Sequence, residues 1–266
     1  MFEYSFMQRA VIVGLLVALC SAVLGVTLVL KRYSMIGDGL SHVAFGAMAI
    51  ATVLNLAPLQ LAIPVVIAAA FLLLRISEHS AVKGDSAIAM ISTGALAVGV
   101  MVISCTTGVN TDVYNYMFGS ILSMSESDVR LSIILSAVVL ILFVLFYNKI
   151  FAVTFDETFA RATGTRTGLY NMLIALLTAV TIVLGMRMMG ALLITALIIF
   201  PALTSMRVVK TFRSVMICSA AVAVFCFMVG IAISFFLSTP AGASVVCVNI
   251  AVFTVFAVIG AVMGRD

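Results

Sequence analysis

Long apolar runs separated by short polar segments occupy nearly the whole of this 266-residue chain. Nine of the runs come close to the roughly 20 residues that an α-helix needs to cross the hydrocarbon core of a bilayer. The predicted spans are 8–30, 35–54, 57–76, 86–105, 129–148, 168–186, 188–206, 214–237 and 243–263. The pattern therefore predicts an all-α, polytopic membrane helical bundle with about eight or nine transmembrane helices.

The composition excludes the other common classes of protein. Hydrophobic residues make up 64% of the chain and charged residues only 9%, whereas a soluble domain carries roughly 25% charged residues. This excludes soluble globular, disordered, fibrous and disulfide-rich chains. Because no polar stretch is long enough for a separate soluble domain, residues 1–266 are expected to form one transmembrane domain.

The positive charges predict how the chain is oriented. When nine spans are threaded through the membrane, eleven of the fourteen Lys and Arg residues fall on one side, and only Arg9, Arg130 and Arg187 fall on the other. Cytoplasmic loops are enriched in Lys and Arg, so we expect an external N-terminus and a cytoplasmic C-terminus. Charges divided among short loops cannot form a basic groove, which argues against binding of nucleic acid.

The longest inner connection, residues 149–167, has the pattern of a short surface helix rather than of a plain linker. Thr154 or Asp156 could cap such a helix, and Gly164 would lie just beyond its end. Phe155 and Phe159 are four residues apart and would share one face of a helix. A polar helix with an apolar stripe on the cytoplasmic side is typical of a docking element for another protein.

Asp38 and His42 are the residues that most strongly suggest chemistry. They lie four residues apart in the apolar segment 35–54, so on a helix their side chains share a face. A carboxylate and an imidazole together suit a divalent transition metal, and ionisable residues inside membranes usually face a cavity or a pathway. The alternative is that Asp38 caps the helix while His42 is hydrogen-bonded within the bundle, and the residues alone leave both alternatives open.

The source of energy is also constrained by sequence. The chain has no G-x-x-x-x-G-K-[ST] motif, so it cannot itself cradle and hydrolyse ATP, and it is not expected to be an enzyme. Two other classes of function remain open: a secondary transporter driven by protons on Asp38 or His42, and a membrane scaffold or receptor.

A further apolar stretch, 113–124, is too short to span and could be re-entrant or interfacial.

Several ordered motifs resemble a known family. The most specific is L-K-R-Y-S-M-I-G-D-G-L-S-H-V-A at residues 30–44, which looks like a basic pair followed by a G-D-x-L-[SA]-H signature. Further matches lie at 85–99, 116–122, 155–164, 189–202 and 239–246. The chain thus resembles the permease subunits of zinc/manganese-type (ZnuB-like) metal-ion ATP-binding-cassette importers, over about residues 5–262. It departs from many relatives at Ser120, where Asp or Asn is common, and at Met188 and Met189.

The resemblance implies a function and a set of partners. The fold would be that of a type II (vitamin B12-importer-like) permease in the inner or plasma membrane of a prokaryote. Two copies would form the pathway, with two cytoplasmic ATPase subunits on one side and an extracytoplasmic metal-binding protein on the other. The cargo would be a divalent metal ion, zinc first, with manganese or iron as alternatives, and no tightly bound cofactor is expected.

The resemblance also implies roles for individual residues. Asp38 and His42 would line the metal pathway. The loop residues expected to meet the ATPase are Phe155, Asp156, Glu157, Phe159 and Arg161. Contacts with the metal-binding protein are expected at Arg9, Arg130 and Arg187.

Overall fold

The fold consists of helices throughout the part of the chain that is described. A computed structural model describes residues 5–79, 84–106 and 126–262, and within these ranges it contains eleven helices. They are α1 (Ser5–Leu30), α2 (Ile36–Val53), α3 (Pro58–His79), α4 (Gly84–Ser104), α5 (Glu126–Leu145), α6 (Tyr147–Phe155), α7 (Glu157–Ala162), α8 (Thr167–Met189), α9 (Ala191–Met206), α10 (Phe212–Leu237) and α11 (Ala241–Val262). The predicted all-α class is confirmed.

Eight helices within these ranges are long and apolar enough to cross a membrane. The remaining predicted span, 188–206, corresponds to α9, which has only 16 residues. At 1.5 Å per residue it extends about 24 Å, less than the roughly 30 Å of a hydrocarbon core. The predicted segment 113–124, with Ser120, lies outside the described residues.

The boundary between α8 and α9 differs from the prediction. Met188 and Met189 belong to α8, and the break falls at Gly190, whose φ is 83°. A positive φ is strained for residues that carry a Cβ, so glycine fixes the break at this position. The predicted boundary fell three residues earlier, at Arg187, because apolar residues lie on both sides of Gly190 and do not mark the break.

Three helices form the centre of the bundle. In α1, α2 and α8, 72%, 72% and 67% of the spanning residues are buried, compared with 17–33% in α3, α4, α5, α10 and α11. The short helix α9 packs against α1, α2, α8, α10 and α11. The outer helices therefore present most of their apolar surface outward, as expected of helices that face lipid.

Close helix contacts depend on glycine at two central positions. A Cβ at Gly25 of α1 would lie 2.0 Å from the carbonyl oxygen of Ile198 in α9, and a Cβ at Gly46 of α2 would lie 2.7 Å from that of Ala95 in α4. Lipid tails are as apolar as leucine, so helices in membranes associate through van der Waals packing, which small residues permit.

Ion pairs identify which helix ends lie together. Arg9 near the start of α1 pairs with Glu126 at the start of α5. At the opposite end of α1, Lys31 lies 3.6 Å from Glu157 at the start of α7. The sequence predicted that Arg9 lies at one end of the bundle and that Lys31 and the 149–167 loop lie at the other, and the fold agrees. Which end faces the cytoplasm stays a prediction.

Candidate metal pathway

The start of α2 positions Asp38 and His42. The chain leaves α1 through a short turn in which Arg32 has a φ of 61°, and α2 begins at Ile36. The N-cap is Met35, which makes no side-chain cap, and Asp38 lies in the first turn of the helix. The alternative that Asp38 caps this helix is therefore wrong. A carboxylate near a helix N-terminus is favoured by the helix dipole.

The two side chains share a face, as their spacing predicts. The distance from Oδ2 of Asp38 to Nε2 of His42 is 3.7 Å, and the side chains are 39% and 23% exposed, respectively. This distance is too long for a good hydrogen bond. Two ligand atoms at about 2.1 Å from one metal ion lie roughly 3.0–3.4 Å apart at octahedral or tetrahedral angles, so a small rotamer change would let both atoms bind one ion.

A cavity of about 380 Å³ lies beside this pair. Asp38 and His42 line it together with residues of α9 and with Val246 of α11. Thr195 is the polar α9 residue in the lining, and its hydroxyl donates to the carbonyl oxygen of Ala191. The rest of the wall is apolar, so a cation entering the cavity meets one carboxylate and one imidazole in otherwise apolar surroundings.

The described residues of one chain offer an incomplete set of metal ligands. Across residues 5–79, 84–106 and 126–262, no cluster of three or more His, Cys, Asp or Glu side chains could hold a metal ion. Transition metals in proteins commonly take four to six ligands. Beyond Asp38 and His42, the described residues can therefore add only backbone or neutral groups as ligands. Water or a second molecule would supply the others.

The 149–167 connection contains the short helix that the sequence predicts. The carboxylate of Asp156 caps α7 by accepting a hydrogen bond from the Phe159 backbone N–H at 2.8 Å. Gly164, with a φ of 80°, follows the helix. The expectation that Phe155 and Phe159 share one helix face is wrong, because the chain is extended at Asp156 (φ −146°, ψ 94°), where α6 ends and α7 begins.

Both phenylalanines of this connection are nevertheless exposed. The ring of Phe155 lies against Phe151 and Phe212, so α6 is attached to the start of α10. Phe159 is 65% exposed, and Arg161 on the same short helix is also exposed. The connection therefore offers an aromatic ring and a guanidinium group at the bundle surface.

Glu157 links this connection to the central helices. Its carboxylate lies 3.2 Å from the guanidinium of Arg161 and 3.6 Å from the ammonium of Lys31, and it accepts a hydrogen bond from the Asn171 amide at 3.3 Å. Lys31 also donates to Oδ1 of Asn171. Sequence reasoning missed Asn171, although an amide inside the apolar run 168–186 was a usable signal.

The three arginines at the other end differ in accessibility. Arg9 forms a 2.6 Å ion pair with Glu126, and both side chains are well exposed. Arg130, one turn further along α5, is exposed. Arg187 is only 18% exposed and lies 3.8 Å from Asp128. Arg9 and Arg130 thus lie on the surface, whereas the Arg187 side chain is mostly buried.

Comparison with known proteins places these features in a family. The sequence model described as ABC 3 transport family matches residues 3–260. The chain belongs to this family. It is therefore a multi-pass permease of an ATP-binding-cassette importer for metal ions, with the type II-like architecture implied by its sequence motifs. The family assignment supports an ATP-driven transporter over the proton-driven and scaffold alternatives.

Individual relatives align with nearly the whole length of this chain. The chain is 27% identical over 253 residues to the manganese import system permease protein ScaB of Streptococcus gordonii, covering 95% of this chain and 91% of the relative. It is 29% identical over 252 residues to the manganese transport system membrane protein MntC of Halalkalibacterium halodurans, covering 94% and 86%. The solved structure of PsaBC from Streptococcus pneumoniae in complex with Fab aligns with a TM-score of 0.85 at 27% identity, covering 96% of this chain and 91% of that chain.

Proposed function

We propose that this ABC 3 permease imports Mn²⁺ and that Asp38 and His42 contact the ion as it crosses the membrane. The observation that carries the proposal is the pair itself, a carboxylate and an imidazole on one helix face beside a cavity of about 380 Å³. Carboxylate and imidazole ligands bind manganese, zinc and iron. Two of the relatives are named as manganese import or manganese transport proteins, which favours manganese over the zinc that the sequence motifs alone ranked first.

We infer that the pathway forms between two copies of the chain. Asp38 and His42 remain partly exposed in a single chain, and the described residues of one chain supply too few ligands. A second copy related by a two-fold axis would bring another carboxylate and another imidazole to the same ion. Few protein ligands also suit a transport site, because an ion that is held too tightly would not leave.

The 149–167 connection is the proposed docking site for the ATPase. The ring of Phe159 is accessible for insertion into a pocket, and Arg161 provides a charged contact beside it. Exposed aromatic and arginine side chains are frequent anchors in protein interfaces. Two ATPase subunits, one for each permease copy, would move these connections when ATP binds, and the bundle would alternate between outward and inward access to the Asp38–His42 site.

The opposite end is the proposed contact for an external metal-binding protein. Arg9 and Arg130 are exposed there, and rim charges of this kind steer association more than they determine affinity. Arg187 is a weaker candidate for direct contact, because its side chain is mostly buried beside Asp128. This assignment places the N-terminus outside the cell and the C-terminus in the cytoplasm.

Metal-resolved uptake in reconstituted vesicles tests the proposal. The permease is assembled with its ATPase and its metal-binding protein, ATP is supplied on the side of α7, and uptake of radioactive Mn²⁺ and Zn²⁺ is compared. We expect ATP-dependent uptake of Mn²⁺ that unlabelled Mn²⁺ suppresses better than Zn²⁺ does. A complex with a hydrolysis-deficient ATPase is the control.

Different outcomes of this experiment would contradict the choice of manganese and the import function itself. Faster uptake of Zn²⁺ than of Mn²⁺ would contradict the manganese assignment while leaving the importer assignment intact. Uptake of both ions at the level of the hydrolysis-deficient control would contradict the proposed import function.

A further inference from the structure

We propose that Lys31, Glu157 and Asn171 form a polar link that couples movement of the ATPase-docking helix α7 to the Asp38–His42 segment. This inference rests on the proposed function of α7 and of the metal pair. Lys31 directly follows α1, Glu157 begins α7 and Asn171 lies in the first part of α8, and they are separated by as many as 140 positions in the sequence. Only the tertiary structure brings them together.

The link is short, and its Lys31 and Asn171 members are shielded from water, whereas the Glu157 side chain is 38% exposed. The Lys31 ammonium lies 3.6 Å from Oε2 of Glu157 and donates to Oδ1 of Asn171, and the Asn171 amide donates to Oε2 of Glu157 at 3.3 Å. The Lys31 side chain is 9% exposed and Asn171 is buried. A buried ammonium that loses its carboxylate is strongly unfavourable, so Lys31 should move with Glu157 rather than separate from it.

The Lys31 side of the link is connected to the metal pair through the short turn between α1 and α2. Lys31 follows the last residue of α1 and precedes Asp38 by seven positions. The turn between α1 and α2 is closed by backbone hydrogen bonds, including Tyr33 N–H to the Leu28 carbonyl at 2.8 Å and Ile36 N–H to the Tyr33 carbonyl at 3.0 Å. A turn that is short and hydrogen-bonded transmits a displacement to the next helix instead of absorbing it.

The Glu157 side is connected to the surface proposed to meet the ATPase. Glu157 is the first residue of α7, the same short helix that carries the exposed Phe159. Buried Ala160 packs this helix against the bundle, and the Asp156 cap stabilises its first turn. Movement of α7 by a bound ATPase therefore displaces the Glu157 carboxylate, and through Lys31 it displaces the start of α2.

The experiment measures the amount of metal transported per ATP hydrolysed by the reconstituted complex. Lys31→Met keeps much of the side-chain length but removes the charge, and Lys31→Arg keeps the charge. We expect Lys31→Met to lower the ratio at least tenfold (about 1.4 kcal/mol) while the ATPase still assembles and hydrolyses ATP. Lys31→Arg should stay within about threefold of the original ratio, since it preserves the ion pair.

A second variant and a matched control keep the test decisive. Asn171→Ala removes the amide from the α8 side of the link and should lower the ratio in the same direction, so it replaces Lys31→Met if that variant fails to assemble. Lys210→Gln changes an exposed cation at the same end of the bundle, outside the 149–167 connection, and should leave the ratio unchanged.

Two results would overturn the link. One is an unchanged ratio in both Lys31→Met and Asn171→Ala. The other is a parallel loss of hydrolysis and uptake, which would indicate a role in assembly only. Failure of the proposed function is recognised separately, because the unmodified complex would then show no ATP-dependent metal uptake at all.

Discussion

The central helices α1, α2 and α8 and the outer helices differ in what they bury. About 70% of the spanning residues of the central three are buried, compared with a third or fewer in the five outer ones. The polar side chains Asp38, His42, Asn171 and Arg187 lie on the central helices, and Lys31 directly follows α1. Lipid accepts apolar surface without penalty but does not solvate charge, so the functional groups lie where protein can surround them.

The central region itself contains two kinds of polar site. Lys31, Glu157 and Asn171 satisfy one another through short contacts. Asp38 and His42 lie 3.7 Å apart beside a cavity. A mutually satisfied cluster fixes structure, whereas an open pair leaves coordination for a ligand. The difference indicates that one site positions helices and the other receives the metal ion.

The largest effect is expected when the open pair is removed. Loss of an outer-shell partner already costs about 10–100-fold in metal affinity or activity at many sites, so Asp38→Ala and His42→Ala should each lower metal uptake by at least that factor. Assembly with the ATPase should be retained, because removing either side chain enlarges a cavity that is already open and creates no new buried void. Initial uptake rates at several metal concentrations provide the measurement.

Glu126→Gln on the outer helix α5 is the matched control, since it also removes a carboxylate but lies outside the cavity. It should keep most of the uptake. Equal uptake by Asp38→Ala, His42→Ala and Glu126→Gln would remove the distinction between the central and outer carboxylates.

The next effect concerns packing at the centre. Gly25→Ala would place a Cβ 2.0 Å from the Ile198 carbonyl oxygen, and overpacking typically costs about 1–3 kcal/mol or more. The variant should lower the midpoint of thermal unfolding in detergent and the yield of folded protein. Gly94→Ala in the outer helix α4 has no neighbouring atom within 4 Å of the added Cβ and should unfold at or above the original midpoint. Similar midpoints for the two variants would contradict the close contact of α1 with α9.

A smaller effect is expected at the docking surface. Phe159→Ala should weaken ATPase binding by about 2 kcal/mol, or roughly 30-fold, if Phe159 is an interface anchor. Phe236→Ala is the control, because Phe236 is also highly exposed, at 77%. It lies at the far end of α10 from Phe212, which packs against Phe155 of the docking connection. Titration of the permease with labelled ATPase measures both affinities. Equal affinities would exclude Phe159 as an anchor.

The smallest effect is expected for the exposed ion pair. Arg9→Gln removes the contact with Glu126, in which both side chains are well exposed, and such pairs contribute about 1 kcal/mol or less. Arg187→Gln should destabilise the chain more, because it leaves Asp128 partly buried without that cation. Thermal unfolding at low and high salt measures the difference. An equal loss for both variants would contradict the contrast in burial.

Much of the fold could be predicted because span length and apolarity are local properties. Each predicted span overlaps a helix in the described residues, and α7 forms in the predicted connection. The break at Gly190 was predicted three residues too early, at Arg187. Asp156 was named as a possible helix cap, but the separation that it imposes between Phe155 and Phe159 was missed. In both places the apolar or aromatic pattern continues across the interruption, so the pattern alone did not position it correctly.

The candidate site was predictable in part for a similar reason. Asp38 and His42 stand out chemically in an apolar segment, and four-residue spacing places them on one helix face whatever the tertiary structure. The short helix α9 in the cavity wall and the partners of Lys31 could not be read in this way, because they depend on which helices become neighbours.

The sequence by itself determined that the chain lies in a membrane, which segments become helices and which acid lies four residues before a histidine. These properties follow from local hydrophobicity and helical geometry. The tertiary structure decided that α9 and α11 line the cavity beside the Asp38–His42 pair and that Lys31 meets Glu157 and Asn171. Contacts between residues more than 100 positions apart depend on the packing of whole helices, which no local pattern specifies.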